Sequence, residues 1–242
     1  MIGVVAGNRR RSGAGGGGFT TIAALFASGE KGAYYDFTDK SRLAVNADGS
    51  GGSPANGGTA KWAADQSPNA NHLRNTVASV AVGATGVTTS GSNYGLFNMS
   101  GFGNWPLIPQ PFEIVVALEQ IAYAGDNARI IGDQDTSWSL LQGSSSGDAR
   151  FLGINYGLQK SLGIGAEVTL DILTNGASSA IGLNGGAMAA ETGSGSAGLN
   201  ALCLGSTAGG NSAAQVRFKR LLVIGRALTP SERAGVLAWV SA

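Results

Sequence analysis

The sequence has little charge, little proline and a single cysteine. Lysine and arginine total 16 of 242 residues and aspartate and glutamate 15, which gives a net charge of +1. Nucleic acid is therefore not expected as a partner, because its recognition needs a broad basic surface. The 6 prolines and the 40 glycines, which lack a three-residue period, exclude a collagen-like chain. The lone Cys203 excludes an intrachain disulfide, and its apolar neighbours predict a buried thiol.

The sequence also lacks long apolar runs. No segment approaches the ~20 apolar residues of a membrane-spanning helix, so no membrane partner is expected. The N-terminal stretch MIGVVAG is short for the apolar core of a signal peptide, and the arginines follow it instead of preceding it. We therefore expect synthesis in a cytoplasm without an export signal.

Residues 1–18 differ in composition from the rest of the chain. Arg9, Arg10 and Arg11 are followed by four consecutive glycines at 15–18, which would form a flexible joint. One interpretation is a disordered tail. The other is an anchor arm that orders against a neighbouring subunit, where its arginines meet carboxylates. The sequence thus predicts a glycine-rich arm, 1–18, and one globular domain, 19–242.

The globular part shows the alternation of half-buried β-strands. Every second residue from Phe112 to Leu118 is apolar, whereas Glu113 and Glu119 fall on the opposite face of the same segment. Further strands are predicted at 33–37, 128–131, 138–141, 151–155, 167–173 and 216–224. The second half of the last strand loses the alternation, as expected of a strand covered on both faces.

The C-terminal segment is typical of a helix start. Thr229 supplies a capping hydroxyl, Pro230 suits the first helical position, and Glu232 lies three residues after the cap. Elsewhere, short strands separated by glycine-rich turns, with almost no helix between them, favour antiparallel sheets. We therefore predict an all-β fold: a two-sheet antiparallel jelly-roll sandwich of the concanavalin A-like lectin and glucanase type, with a short C-terminal helix.

Residues suited to catalysis are scarce. The single histidine, His72, lies in a polar turn, where it either contacts a ligand or bonds within that turn. A nucleophilic pair of His72 with Cys203 has no support, since nothing near the cysteine would activate it. Glu113 and Glu119 lie six residues apart, or ~20 Å at ~3.3 Å per residue, which is too far for paired carboxylates. The compact acidic motif of laminarinase-type glucanases is also absent, and we predict that the chain is not an enzyme.

Aromatic side chains are the main candidate ligand contacts. Trp105, Trp138 and Tyr156 could stack on sugar rings, as could Trp62 and Tyr94, although large aromatics are commonly core residues. Trp105 is the best candidate, because glycines and a proline around it indicate a loop.

Cofactor motifs are absent or weak. Zinc sites need clusters of histidine and cysteine, and no phosphate-binding loop pattern occurs. Asp133 and Asp135 could offer oxygens to calcium, with Asp126 and Asp148 as helpers, but a solvated turn is the preferred interpretation of this loop. We predict no cofactor.

Three stretches of sequence carry a family resemblance. Residues 25–36 read LFASGEKGAYYD, residues 65–72 read DQSPNANH, and residues 220–233 read RLLVIGRALTPSER. The first two resemble the opening motif and the following turn of a family of tailed-bacteriophage and prophage virion proteins. The third is similar to the closing strand and helix of concanavalin-like, laminin-G-like jelly rolls. Members of the virion family often have glycine where this chain has Pro68 and Ala70.

The resemblance implies a virion component on the head or the tail. In the first hypothesis, the arm fixes the protein to other virion proteins and the jelly roll faces outward for attachment to a cell-surface glycan. A homo-oligomer is expected, because virion appendages follow the symmetry of what they attach to. The alternative is a virion-associated glycan-degrading enzyme on the same fold.

Overall fold

The computed structural model describes residues 19–91, 95–99, 105–125, 128–133, 139–142, 148–152, 156–191, 197–206 and 213–242. The side chains at 99, 141–142, 148–152, 156–161 and 191 lie outside that description. Within it, two antiparallel sheets pack against each other around a common core, which confirms the predicted sandwich.

Sheet A lies on the side of the C-terminal helix. Its described strands are β1 (Gly32–Asp36), β3 (Thr59–Ala60), β6 (Val80–Gly83), β7 (Gly86–Thr88), β9 (Phe112–Ala122), β14 (Glu167–Thr174), β15 (Ser179–Leu183), β16 (Ala189–Glu191) and β18 (Gln215–Ile224). They run in the order β16-β15-β14-β9-β18-β7-β6-β3, and β1 also pairs with β18.

Sheet B covers the other side of the core. Its described strands are β2 (Leu43–Ala44), β4 (Trp62–Ala63), β5 (Leu73–Arg74), β8 (Phe97–Met99), β10 (Arg129–Gly132), β11 (Ser139–Gln142), β12 (Asp148–Leu152), β13 (Tyr156–Ser161) and β17 (Ala201–Leu204). Their order is β13-β12-β11-β10-β17-β8-β5-β4-β2. Because most spatial neighbours are distant in sequence, the sheets depend on long-range pairing.

Strand β9 is the centre of sheet A. Its alternate residues Phe112, Ile114 and Val116 point into the core between the sheets, as the sequence predicts. The opposite face carries Val115 and Ala117, and these are also buried, because other elements cover that face.

The cover on the outer face of sheet A comes from both ends of the described chain. A 3-10 helix, Ala23–Phe26, and the helix α1, Pro230–Ser241, form a second apolar cluster with Val115, Leu222 and Ile224. This cluster explains why the second half of β18 is apolar on both faces. The predicted capping box is present, since Thr229 and Glu232 each bond the other's backbone N–H. Among the described residues, no helix has both the length and the apolar character required to cross a bilayer.

The strand predictions differ from the structure mainly in their bounds. The strand predicted at 151–155 corresponds to β12, which lies earlier at Asp148–Leu152. The two-residue strands β2, β4 and β5 were not predicted. Cys203 is fully buried, as predicted, and burial raises the pKa of its thiol to about 12.

Candidate functional site

The turn at residues 65–72 is organised around the carboxylate of Asp65. This carboxylate accepts hydrogen bonds from the backbone N–H groups of Tyr34, Ser67 and Asn71 and from the Ser67 hydroxyl. Burial raises the pKa of Asp65 from its ordinary value, although the bonds from Ser67 and Asn71 act in the opposite direction. The turn is therefore a fixed platform and not an open loop.

Two asparagine side chains join this turn to the start of β1. Asn69 Nδ2 donates to the carbonyl oxygens of Glu30 and Gly32, and Asn71 Nδ2 also donates to that of Gly32. The Tyr35 hydroxyl donates to the Asn71 carbonyl. The two stretches that carry the virion-family resemblance thus form one hydrogen-bonded unit.

His72 closes the turn and faces an aromatic ring. Its Nδ1 accepts a hydrogen bond from the Asp65 backbone N–H at 3.1 Å, which is the bond within its own turn that the sequence suggested. In the neutral imidazole the ring proton then resides on Nε2, which remains available as a donor. The ring centroids of His72 and Trp62 lie 4.9 Å apart, with the planes tilted at 44°.

A surface pocket of about 240 Å³ opens beside this pair of rings. Its lining comes from the loop after β2, from β4, from the 65–72 turn, from β5 and from β8: Ala47, Asp48, Trp62, Ala70, His72, Arg74 and Asn98. Trp62 and Arg74 are opposite each other in the β4–β5 pair, so their side chains share one face of sheet B. The Trp62 ring is partly exposed and packs at its back against Gly49, whose φ is +85°.

The polar groups of the pocket differ in whether they already have partners. Asp48 is exposed, and its carboxylate accepts from the N–H and hydroxyl of Ser50. Arg74 is partly buried and makes no ion pair or side-chain hydrogen bond with the described part of the chain. Asn98 is only 2% exposed, and its Oδ1 is buried without a hydrogen-bond partner.

Of the ligand contacts predicted from sequence, His72 and Trp62 are found at this pocket. Trp105 is 3% exposed and belongs to the core, where its Nε1–H donates to the Leu199 carbonyl at 3.4 Å, so its prediction as an exposed stacking residue was wrong. Trp138 and the side chain of Tyr156 lie outside the described residues, as do Arg9, Arg10 and Arg11.

The candidate calcium ligands are only partly described. Asp133 is fully buried near Arg129 and Cys203, whereas Asp135 and Asp126 lie outside the described residues, and so does the side chain of Asp148. No cluster of three or more metal-binding side chains occurs in the part of the chain that the structure describes.

Sequence reasoning missed the contribution of Arg74 and Asn98 and ranked Trp62 below Trp105. These residues occur in strands of two or three residues, which are too short to show a period. A usable signal was nevertheless present, because Trp62 and Arg74 flank the 65–72 turn in the sequence.

The predicted carboxylates occupy other environments. Glu119 pairs with Arg217, and Glu113 is fully buried beneath α1. Glu113 accepts hydrogen bonds from Arg233 and from the Leu228 N–H, and Arg233 also contacts Asp171. Glu113 and Asp171 are therefore close together, but at 0% and 3% exposure they form no open cleft.

The fold and the pocket define the class of protein: a two-sheet antiparallel β-sandwich with an aromatic surface pocket. No family model and no curated protein matches the chain. Similar solved structures include a Trypanosoma rangeli sialidase in complex with sialic acid, at 12% identity and a TM-score of 0.57, covering 83% of this chain and 36% of the sialidase chain. A GH54 α-L-arabinofuranosidase soaked with a cyclic sulfate inhibitor matches at 12% identity and a TM-score of 0.59, with 90% of this chain and 64% of that chain covered. The chain thus spans about a third of the sialidase chain's length.

These neighbours correct the prediction that the chain is not an enzyme. The proteins that share its fold are glycoside hydrolases, so the fold provides no ground for excluding catalysis, and that prediction was wrong. The sequence argument considered only pairs of acids along one strand, whereas a sandwich can bring acids together from different strands. At 12% identity, the likeness to these two structures establishes the fold alone. Any argument on function must come from the pocket residues.

Proposed function

We propose that this chain is a carbohydrate-binding β-sandwich domain that contacts glycans through the pocket at Trp62. The observation that carries the proposal is a partly exposed indole ring surrounded by polar groups, Arg74, His72 and Asn98, of which Arg74 has no ion pair with the described residues. Ligand sites combine aromatic surface with a few placed polar groups, and a sugar ring needs both, because it has an apolar face and a polar rim.

The second part of the proposal concerns where the domain acts. The resemblance of residues 25–36 and 65–72 to phage and prophage proteins supports a virion component whose sandwich faces the host surface. Their joint hydrogen bonding, through Asp65 to Tyr34 and Asn69 to Glu30, supports treating the two stretches as one motif. In this proposal, residues 1–18 attach the domain to other virion proteins.

A glycan array followed by calorimetry with the purified chain tests glycan binding. We expect Trp62→Ala to weaken binding of any glycan that the wild type retains by roughly tenfold, because a stacked aromatic ring contributes up to about 1.5 kcal/mol beyond the area it buries and about 1.4 kcal/mol corresponds to tenfold. Tyr123→Ala is the matched control, since Tyr123 is an exposed aromatic just beyond β9 in sheet A. Equal loss in both variants, or no binding by the wild type, would refute the proposal.

Hydrolysis of the bound glycan is a second candidate function, favoured by the glycoside hydrolases that share the fold. Asp48 is the carboxylate at the pocket, and the hydroxyl and N–H of Ser50 lower its pKa, which suits a base or nucleophile and not a proton donor. Release of reducing ends from the retained glycans, abolished in Asp48→Asn, would establish hydrolysis. Binding without release would leave the binding function alone.

A further inference from the structure

Arg74 in the Trp62 pocket points to one chemical class of sugar. Seven arginines have described side chains, and six of them contact a carboxylate or hydroxyl partner: Arg42, Arg129, Arg217, Arg220, Arg226 and Arg233. Arg74 is the exception within this set, although it is partly buried and would gain from a counter-charge.

The neighbouring polar groups also present donors. His72 accepts at Nδ1 from the Asp65 N–H, so the neutral ring presents its Nε2–H as the free group. Arg74 and His72 therefore bring nitrogen donors to one pocket, and the acid there, Asp48, is already bonded to Ser50.

We propose that the pocket selects hexuronic acids, with the sugar ring on Trp62 and the C6 carboxylate on Arg74. A carboxylate supplies acceptors to several donors at once and a counter-charge that no described residue gives Arg74. The cavity volume of about 240 Å³ lies below the ~300–1,000 Å³ of pockets for drug-sized ligands, and this favours one six-membered sugar ring. The inference rests on the proposed function, because it assumes that the pocket binds sugar.

Calorimetric titration of the full chain with methyl α-D-glucuronide and with methyl α-D-glucoside tests the inference. The two probes differ only in carrying a carboxylate or a hydroxymethyl group. We expect the glucuronide to bind at least tenfold more tightly, because charge-assisted hydrogen bonds are about twice as strong as neutral ones. Raising sodium chloride from 50 to 500 mM should reduce this preference, since Arg74 is only partly buried.

Arg74→Gln should reduce the preference for the glucuronide over the glucoside by at least tenfold, because glutamine keeps hydrogen-bonding capacity and loses the charge. Lys61→Gln is the matched control, since Lys61 is a partly buried cation of the same region that does not line the pocket. Equal affinity of the wild type for both probes, or an unchanged preference in Arg74→Gln, overturns the inference and leaves glycan binding intact. If the wild type binds neither probe nor any glycan on the array, the proposed function fails as well.

Discussion

Ala70 adopts a φ of +54°, in the left-handed region that glycine enters most readily. Its neighbours Asn69 and Asn71 both bond β1, so the turn cannot relax without losing these contacts. An alanine in this conformation costs roughly 1–2 kcal/mol relative to a right-handed one. The glycine that the virion family often has at this position is the residue that the geometry favours.

Ala70→Gly should therefore stabilise the protein. The relief of strain exceeds the entropy that glycine adds to the unfolded chain, about 0.5–1 kcal/mol, so we expect a net gain of roughly 0.5–1 kcal/mol. Urea unfolding followed by circular dichroism measures it. Ala81→Gly makes the same change at an exposed position inside β6 and should destabilise the protein by a similar amount. If both variants lost stability equally, the positive φ of Ala70 would not be a source of strain.

At the scale of elements, the sequence predicted what is long enough to show a period. Strands β9, β14 and β18 have 11, 8 and 10 residues, and the alternation or two-sided burial of each is visible in the sequence. Helix α1 was predicted from its capping box, because that signal requires only the four residues from Thr229 to Glu232.

The pocket could not be derived in the same way. Strands β4 and β5 contain two residues each, so no periodicity separates them from loop. Their identity as strands depends on pairing with β2 and β8, which only the folded chain supplies. For Trp105 the sequence was misleading, because the glycines and the proline around it predicted an exposed loop. Tertiary packing instead buries its ring.

The docking of α1 on sheet A involves two buried carboxylates and one arginine. Burial, and next the neighbouring charge of Glu113, raise the pKa of Asp171 to about 8, although Arg233 acts in the opposite direction. A single guanidinium neutralises one carboxylate and not two. Asp171 therefore holds a proton when the helix is docked near neutral pH, and its Oδ1 is buried without a partner.

This pair predicts a loss of stability as the pH rises from about 4 to about 8. The folded protein keeps the Asp171 proton until about pH 8, whereas an ordinary aspartate loses it near pH 3.8. The contribution of Asp171 to the free energy of unfolding is therefore complete below about pH 4 and is lost progressively as the pH rises toward 8. Asp171→Asn, which mimics the protonated acid, should remove this loss, with an advantage over the wild type on the order of a few kcal/mol at pH 9.

Chemical unfolding between pH 5 and pH 9 measures the difference between the two proteins. Glu232, whose pKa the bond to Arg226 lowers to about 2, affects stability below its ordinary value of 4.5, outside this window. Glu167→Gln removes an exposed ion pair with Lys219 and should cost at most about 1 kcal/mol. A wild type and an Asp171→Asn variant that respond identically to pH would show that the buried pair does not control docking.

At the scale of the molecule, the proposed glycan pocket and the proposed point of attachment lie on opposite sheets of the sandwich. The Trp62 pocket opens on sheet B, whereas Phe19, the first described residue, packs beside Gly235 of α1 on the outer face of sheet A. The described chain thus begins on the helix side of the sandwich, away from the pocket. This separation is what a domain needs if it is held by a particle and also contacts a surface.

Deletion of residues 1–18 tests that division of roles. The two described core clusters begin at or after Phe19, so the shortened chain should fold, with a midpoint of thermal unfolding within about 3 °C of the full chain. It should keep full affinity for any glycan that the Trp62 pocket binds, yet fail to enter particles when it replaces the full-length protein during phage assembly. Replacement of Arg9, Arg10 and Arg11 by glutamine in the full chain should cause the same failure, because the proposed contact needs their charge. If particles incorporate the shortened chain normally, the attachment site lies elsewhere on the molecule. If the shortened chain no longer folds, residues 1–18 are part of the domain itself.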